Sequence, residues 1–339
     1  MKLITIGSDE KILDSSSRAH LRVREYAALS ESYMVFVFTK TRSFSKIKNG
    51  NFSVIPVFGK NRLSQVIALF NTIRTGSIGR DNTVISSQDP FEIGLISYLL
   101  AKKYGFKLHL QVRTEFFSLF FRRESTRNLI QFILARILLP KAESIRVVSE
   151  RIKEYLVKNL KIDEAKVMVA PIFVEMPSTL SDIKKDRNLI VALSRLEKVK
   201  NFSRLIRSFE ILAKENLGLR LYIYGEGVER KSIEECISKS SYSDRIILKG
   251  PTNNPFVAMA EAHVFVLSSD YEGWGMTAVE SIMSGTPVCM TPVGCAESFI
   301  KNGVNGFISK SFRVEDLAQA LDRAMKSDFD QAELKESLK

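Results

Sequence analysis

Two glutamates, Glu272 and Glu280, bracket a loop from which Gly273 and Gly275 remove side chains. The loop follows an apolar run, Val264-Phe265-Val266-Leu267, patterned as a buried parallel strand. A helical pattern then begins at Met276 or Thr277. The first turn of a helix leaves amides unpaired and carries the positive dipole end, so strand, loop and helix start together make an anion site. Phosphate or diphosphate is the expected anion. The carboxylates instead suit sugar and ribose hydroxyls, so one ligand carrying both groups fits the stretch. Thr277-Ala278-Val279-Glu280 also fits the capping box S/T-x-x-E, which would turn Glu280 onto its own helix start.

Other loops bring further groups. Ser194 to Asn201 joins the strand-like Leu189–Leu193 to a helix and places Arg195 and Lys200 beyond the strand end. Two cations there can neutralise a diphosphate, Arg bidentately and Lys as a point charge; the same residues would also serve as ordinary solvated charges. Tyr224-Gly225-Glu226-Gly227 and Lys249-Gly250-Pro251 end two more strands, where glycine lets a ligand approach the backbone or simply makes a turn. Gly7 closes the first strand without a G-x-G-x-x-G fingerprint.

These loops need a frame, and the chain alternates strand and helix patterns throughout. Strands are predicted over Lys2–Gly7, Met34–Thr39, Ser53–Phe58, Thr83–Ser86, Leu108–Val112 and Ile145–Ser149, with helices near 18–30, 62–74, 91–104, 127–139 and 150–159. A second series restarts at Leu189 and continues through Arg220–Tyr224, Ile246–Lys249, Val264–Leu267, Val288–Thr291 and Gly306–Ser309. In it, Phe202, Leu205, Ile206, Phe209, Leu212 and Ala213 form one helical face. Such alternation predicts α/β architecture with parallel sheets covered on both sides, here two doubly wound, Rossmann-like domains facing each other across a cleft. The expected boundaries are 1–172, a linker at 173–187 with Pro177 and several serines, 188–325, and a tail at 326–339.

The 339 residues suit two domains of ordinary size. Cys236, Cys289 and Cys295 show no metal-ligand spacing and no disulfide framework, which points to a reducing compartment. The apolar start is too short for a signal peptide, and no run approaches the length needed to span a bilayer. The net charge of +12 is lopsided: residues 1–170 hold 28 Lys+Arg against 15 Asp+Glu, the remainder 22 against 23. The excess points the first half toward something acidic, such as anionic lipid, a phosphorylated acceptor or nucleic acid, or else marks a solvated face that aids solubility.

In order along the chain, Leu-Ser-Arg-Leu with Lys-Asn at 193–201, Tyr-Gly-Glu-Gly at 224–227, and Glu272-Gly-Trp-Gly ending in Glu280 resemble the retaining GT-B glycosyltransferases of family GT4. Ser284-Gly285-Thr286-Pro287-Val288, Gly294, Glu297, Gly303 and Gly306 continue the resemblance; Asp89 to Leu100 and Ile145 to Glu150 are looser matches. The resemblance implies transfer of a glycosyl group from a nucleotide-diphosphate sugar, UDP- or GDP-linked, to a hydroxyl with retention at the anomeric carbon. It implies Arg195 and Lys200 on the donor diphosphate, Glu272 on the donor sugar, Glu280 on the ribose, and the amides of Gly275, Met276 and Thr277 on the phosphates. Donor contacts near Gly7, Gly225, Gly250 and Gly273 complete that set. No metal and no other cofactor are implied. A front-face attack, in which the departing phosphate takes the acceptor's proton, is the mechanism usually given for this family.

The family often carries a histidine near the donor sugar where this chain has Arg113. Arginine cannot act as a base at neutral pH, so Arg113 suits an anionic group on donor or acceptor, or is a structural surface residue. His20, His109 and His263 read as structural. For the acceptor, Arg18 and Arg22 could meet a phosphate. Phe116-Phe117 and Arg122-Arg123 suit a polyprenyl groove or anionic lipid interface, or are a core helix with its packing loop. The expectation is a cytoplasmic enzyme of cell-surface polysaccharide or glycolipid assembly, peripheral on the membrane's cytoplasmic face, with a glycan or lipid-linked acceptor and no nucleic acid. A nucleotide-sugar epimerase would need a base for the sugar ring that cannot be assigned. A basic nucleic-acid-binding protein would leave the glutamate loop without purpose.

Overall fold

A computed structural model describes residues 1–75, 82–174 and 183–337. Its contacts separate two compact units, one made of Met1–Phe117, Arg122–Val148 and Ile152–Ala170, the other of Ser118–Phe121, Ser149–Arg151 and Pro171–Lys339. Part of the expected linker, 175–182, lies outside the described residues, while Asp186 and Arg187 already belong to a strand.

In chain order the first half contains β1 (Lys2–Gly7), α1 (Arg18–Glu25), β2 (Ser32–Thr39), β3 (Ile47–Asn49), β4 (Phe52–Phe58), α2 (Arg62–Thr75) and β5 (Thr83–Ser87). It continues with α3 (Glu92–Tyr104), β6 (Lys107–Val112), α4 (Leu119–Glu124), α5 (Thr126–Leu138), β7 (Ser144–Val147), α6 (Glu150–Leu160) and β8 (Val167–Val169). The sheet order is β3-β4-β2-β1-β5-β6-β7-β8, parallel except where β3 pairs antiparallel with β4. Strand order reverses between β1 and β5. There Gly7 ends β1, and the Gln88 side chain fills the space a Cβ at Gly7 would need.

The second half contains β9 (Asp186–Leu193), α7 (Phe202–Ala213), β10 (Arg220–Tyr224), α8 (Arg230–Ser238), β11 (Ile246–Gly250), α9 (Pro255–Ala260) and β12 (Ala262–Leu267). Then come α10 (Met276–Met283), β13 (Val288–Met290), α11 (Ala296–Phe299), β14 (Gly306–Ile308), α12 (Val314–Lys326) and α13 (Gln331–Glu336). The order β11-β10-β9-β12-β13-β14 is wholly parallel and reverses between β9 and β12. Successive residues of these central strands feed opposite cores: Ile190, Val264 and Val266 pack with α7 and α12, and Val191, Phe265 and Leu267 pack with α10. That two-sided burial is why both strands are apolar without interruption. The face foreseen on α7 is buried at Phe202, Leu205, Ile206, Phe209, Leu212 and Ala213.

Differences from expectation have local causes. β3 is short, largely exposed and paired antiparallel, and α4 has six residues, fewer than two helical turns and too few to show a repeating pattern. The predicted helix at 18–30 tightens into a 3-10 turn over Tyr26–Leu29. Phe116 cannot form a lipid or acceptor surface: its ring is fully buried against Phe91, Phe132 and Tyr155. Phe117 stacks on Tyr155 at 4.0 Å, and the half-buried Arg122 lies over the Phe132 ring at 4.8 Å. Arg123 is exposed. Phe116→Ala should therefore cost about 3–5 kcal/mol in chemical denaturation, whereas Leu129→Ala, on an exposed face, should change stability by less than about 0.5 kcal/mol.

Candidate active site at the strand reversal of the second unit

In an open parallel sheet the loops beyond two strands that lead in opposite directions diverge and leave a crevice. Between β9 and β12 those loops are Ser194–Asn201 and Ser268–Gly275, the segments that hold Arg195, Lys200 and Glu272.

A buried polar network fixes one loop to the other. Asn201, at φ 45°, caps α7 by accepting from the Arg204 amide, and its side-chain amide donates to Asp270 at 3.0 Å. Arg204, buried, donates to the Ser268 carbonyl at 2.8 Å and to the Asp270 carboxylate at 2.6 Å. The Ser268 hydroxyl donates to the Lys200 carbonyl, and the Asp270 amide to the Val199 carbonyl. Thr291, just past β13, holds the Ser269 carbonyl at 2.7 Å. Arg204 and Asp270 were not foreseen; the signal was an arginine three residues past a capping Asn on an otherwise apolar helix face.

On this frame Lys200 pairs with Glu272 at 2.5 Å, with side chains only 15% and 14% exposed. The Ser269 hydroxyl donates to the same carboxylate oxygen at 2.7 Å. Arg195 takes another course: it is 77% exposed and pairs with Glu197 at 2.5 Å. The two predicted cations thus share a loop without sharing a partner.

Glycine sets the remaining approach distances. Gly294, at φ +57°, lets its backbone press against the Glu272 loop; a Cβ there would sit 2.5 Å from the Trp274 carbonyl oxygen and 2.9 Å from the Glu272 Cβ. Gly225, at φ +144°, lies so close to the Ser194 carbonyl that no side chain fits. The Gly225 amide donates to the Gly250 carbonyl at 2.9 Å, which links the chain just past β10 to the end of β11. Gly273 sits half-buried in its loop.

Helix α10 starts at Met276 with Gly275 as its N-cap, and no side chain caps it. The capping-box alternative for Glu280 is therefore overturned, because Thr277 lies inside the helix and not at its cap. The Met276 and Thr277 amides have no intrahelical acceptor, as is general for first-turn amides. Glu280 is half-buried, and burial pushes its carboxyl above the ordinary 4.5. Among the described residues no side-chain hydrogen bond to it is found. Cys295 backs the loop from below, its amide donating to the Trp274 carbonyl, and burial pushes its thiol up to about 12.

The remaining predicted residues lie elsewhere. In the first unit, Arg113 follows β6, is exposed, and donates to Gln111 at 2.5 Å. Arg22 is on α1, exposed; Arg18 opens that helix, and its side chain lies outside the described part. His20 bonds the Ile12 carbonyl, His109 the Ser144 hydroxyl and His263 the Met325 carbonyl, each a structural contact.

Two doubly wound parallel units with loops of this kind at the second reversal define an α/β protein of GT-B fold. Residues 180–339 match the family model "Glycosyl transferases group 1". Among relatives, the chain is 28% identical over 153 residues to poly(glycerol-phosphate) alpha-glucosyltransferase of Bacillus subtilis (strain 168), covering 45% of this chain and 23% of that protein. It is 28% identical over 198 residues to N-acetylgalactosamine-N,N'-diacetylbacillosaminyl-diphospho-undecaprenol 4-alpha-N-acetylgalactosaminyltransferase of Campylobacter jejuni, covering 57% and 53%. The chain thus spans about half or less of these relatives. Among solved structures, Anabaena Alr3699/HepE in complex with UDP superposes with a TM-score of 0.70 at 16% identity, over 96% of this chain and 90% of that one.

Two outcomes follow from the site's construction. Arg204→Ala leaves the Asp270 carboxylate enclosed without its cation and should destabilise the protein by about 3 kcal/mol, read by urea denaturation. For Glu280, folding raises the carboxyl's proton affinity, so its ionised form costs stability at neutral pH. Glu280→Gln should melt above wild type at neutral pH, with the difference vanishing as pH falls below the ordinary 4.5.

Proposed function

We propose that the protein is a retaining, metal-independent glycosyltransferase that moves a sugar from a UDP- or GDP-sugar to a hydroxyl of a glycan or lipid-linked acceptor in cell-surface polymer assembly. The observation that carries this is the meeting of Lys200 and Glu272 at the β9/β12 reversal, on the chain that leads into the open helix start of α10. In the free protein the ammonium and carboxylate neutralise each other. A donor diphosphate competes for Lys200, and the released Glu272 accepts from a sugar hydroxyl. The Met276 and Thr277 amides meet the phosphates, Glu280 accepts from the ribose, and Arg195, in an exposed pair with Glu197, swings onto the diphosphate.

Cleavage of the bond from the anomeric carbon to phosphate places negative charge on the leaving oxygen, where these cations and amides stabilise it. The acceptor oxygen bonds to the anomeric carbon on the same face, and its proton passes to the departing phosphate. The names of the relatives, transferases acting on poly(glycerol-phosphate) and on a diphospho-undecaprenol-linked sugar, support an acceptor that carries phosphate. Arg113 and Arg22 in the first unit suit that charge. A UDP complex in the structurally similar Anabaena protein supports UDP as the donor nucleotide.

A thermal-shift panel of UDP-, GDP- and ADP-sugars tests the proposal, because a ligand at a hundred times its Kd stabilises the native state by about 2.7 kcal/mol. At least one nucleotide sugar should shift the melt and be slowly hydrolysed. Lys200→Ala and Glu272→Ala should each lower turnover by roughly a hundredfold or more while retaining the fold. No shift and no hydrolysis with any donor would sink the proposal.

A further inference from the structure

Helix α5 is apolar on both faces. Gln131, Phe132, Ala135 and Leu138 are buried on its inner side. On the outer side Leu129, Ile130, Ile133 and Ile137 are each between 46% and 57% exposed. At roughly 100° per residue these four form one stripe along the helix, with Arg136 on one border and Arg127 on the other. A helix apolar all round belongs in a core or a membrane, yet half of this one faces solvent. α3 packs alongside, with Arg127 and Gln131 donating to Glu92, and adds exposed Leu95 and Leu99.

We propose that this two-helix apolar surface, bordered by arginines, docks on an anionic membrane with α5 lying in the interface. Charge selects that occupant over a second copy of the chain. A two-fold pairing of α5 with itself would bring like-charged borders together, whereas an anionic leaflet attracts both Arg136 and Arg127 and the cationic excess of the first 170 residues. The Arg127–Glu92 pair is no obstacle, since the Arg127 side chain is 72% exposed and such pairs are weak. The stripe then sinks into the headgroup and acyl boundary while the arginines meet lipid phosphates. The inference deepens the proposed transfer to lipid-linked acceptors by supplying the partner surface, and membrane binding can be measured without any nucleotide sugar.

Flotation with phosphatidylcholine vesicles, with and without phosphatidylglycerol, is the test. Wild type should float with the anionic vesicles and bind neutral ones roughly tenfold or more weakly. Ile130→Ser/Ile133→Ser, changed only where side chains already meet solvent, should lose binding by about tenfold with an unaltered circular dichroism spectrum. Arg127→Gln/Arg136→Gln should weaken binding to anionic vesicles alone. The proposal is overturned if wild type ignores anionic vesicles or if the serine variant binds as wild type does. It is equally overturned if sizing shows a dimer that the serine variant converts to monomer without changing vesicle binding. A failed flotation with intact donor hydrolysis removes the membrane surface and leaves the transferase proposal standing.

Discussion

The enclosed ion pair of Arg204 and Asp270 is the contact on which the second unit's site depends. An arginine taken out of water is tolerated only when its donors are matched, and here one goes to the Ser268 carbonyl and another to the Asp270 carboxylate. Both acceptors lie on the loop after β12, while Arg204 lies on the helix after β9. One side chain therefore ties together the two loops that a reversal of strand order would otherwise let diverge. Asn201 repeats the device from its capping position. Because these partners are internal, the Lys200 and Glu272 side chains that project from the same loops inherit fixed positions.

The two glutamates that frame the loop live in opposite surroundings. Glu272 has a cation and a hydroxyl within hydrogen-bond distance. Among the described residues Glu280 has no side-chain hydrogen-bond partner, and its burial raises its proton affinity. A polar group kept half-buried at some cost to stability is a feature common at sites that meet ligands. The first arrangement is a closed ion pair, and the second is a half-buried carboxyl. The glycines at 225 and 294 belong to the same economy of space, since each lets one loop touch another's backbone.

The first unit is organised differently. Its sheet reverses between β1 and β5, where the Gln88 side chain covers Gly7. Its distinguishing surface is a helix whose outer stripe is as apolar as its inner one, set in a strongly basic half of the chain. Sequence periodicity alone cannot tell such a helix from a core helix, because both are apolar on every side.

From the sequence by itself came the alternation of strands and helices, most boundaries to within two residues, the face of α7 and the loops that carry Arg195, Lys200, Glu272 and Glu280. These are local properties: uninterrupted apolar runs, a 3.6-residue period and glycines at strand ends. Only the tertiary structure decided which loops adjoin, because strand order is set by packing and not by succession. It paired Lys200 with Glu272 while leaving Arg195 in solvent, turned Arg204 inward, and placed Phe116 in the core. It also settled that α10 begins at Met276 with Gly275 at its N-cap, so that Thr277 cannot cap it. Burial separates residues that look alike in a string of letters: Phe116 and Ile133 are both apolar, but only coordinates show that one is enclosed by rings and the other by water.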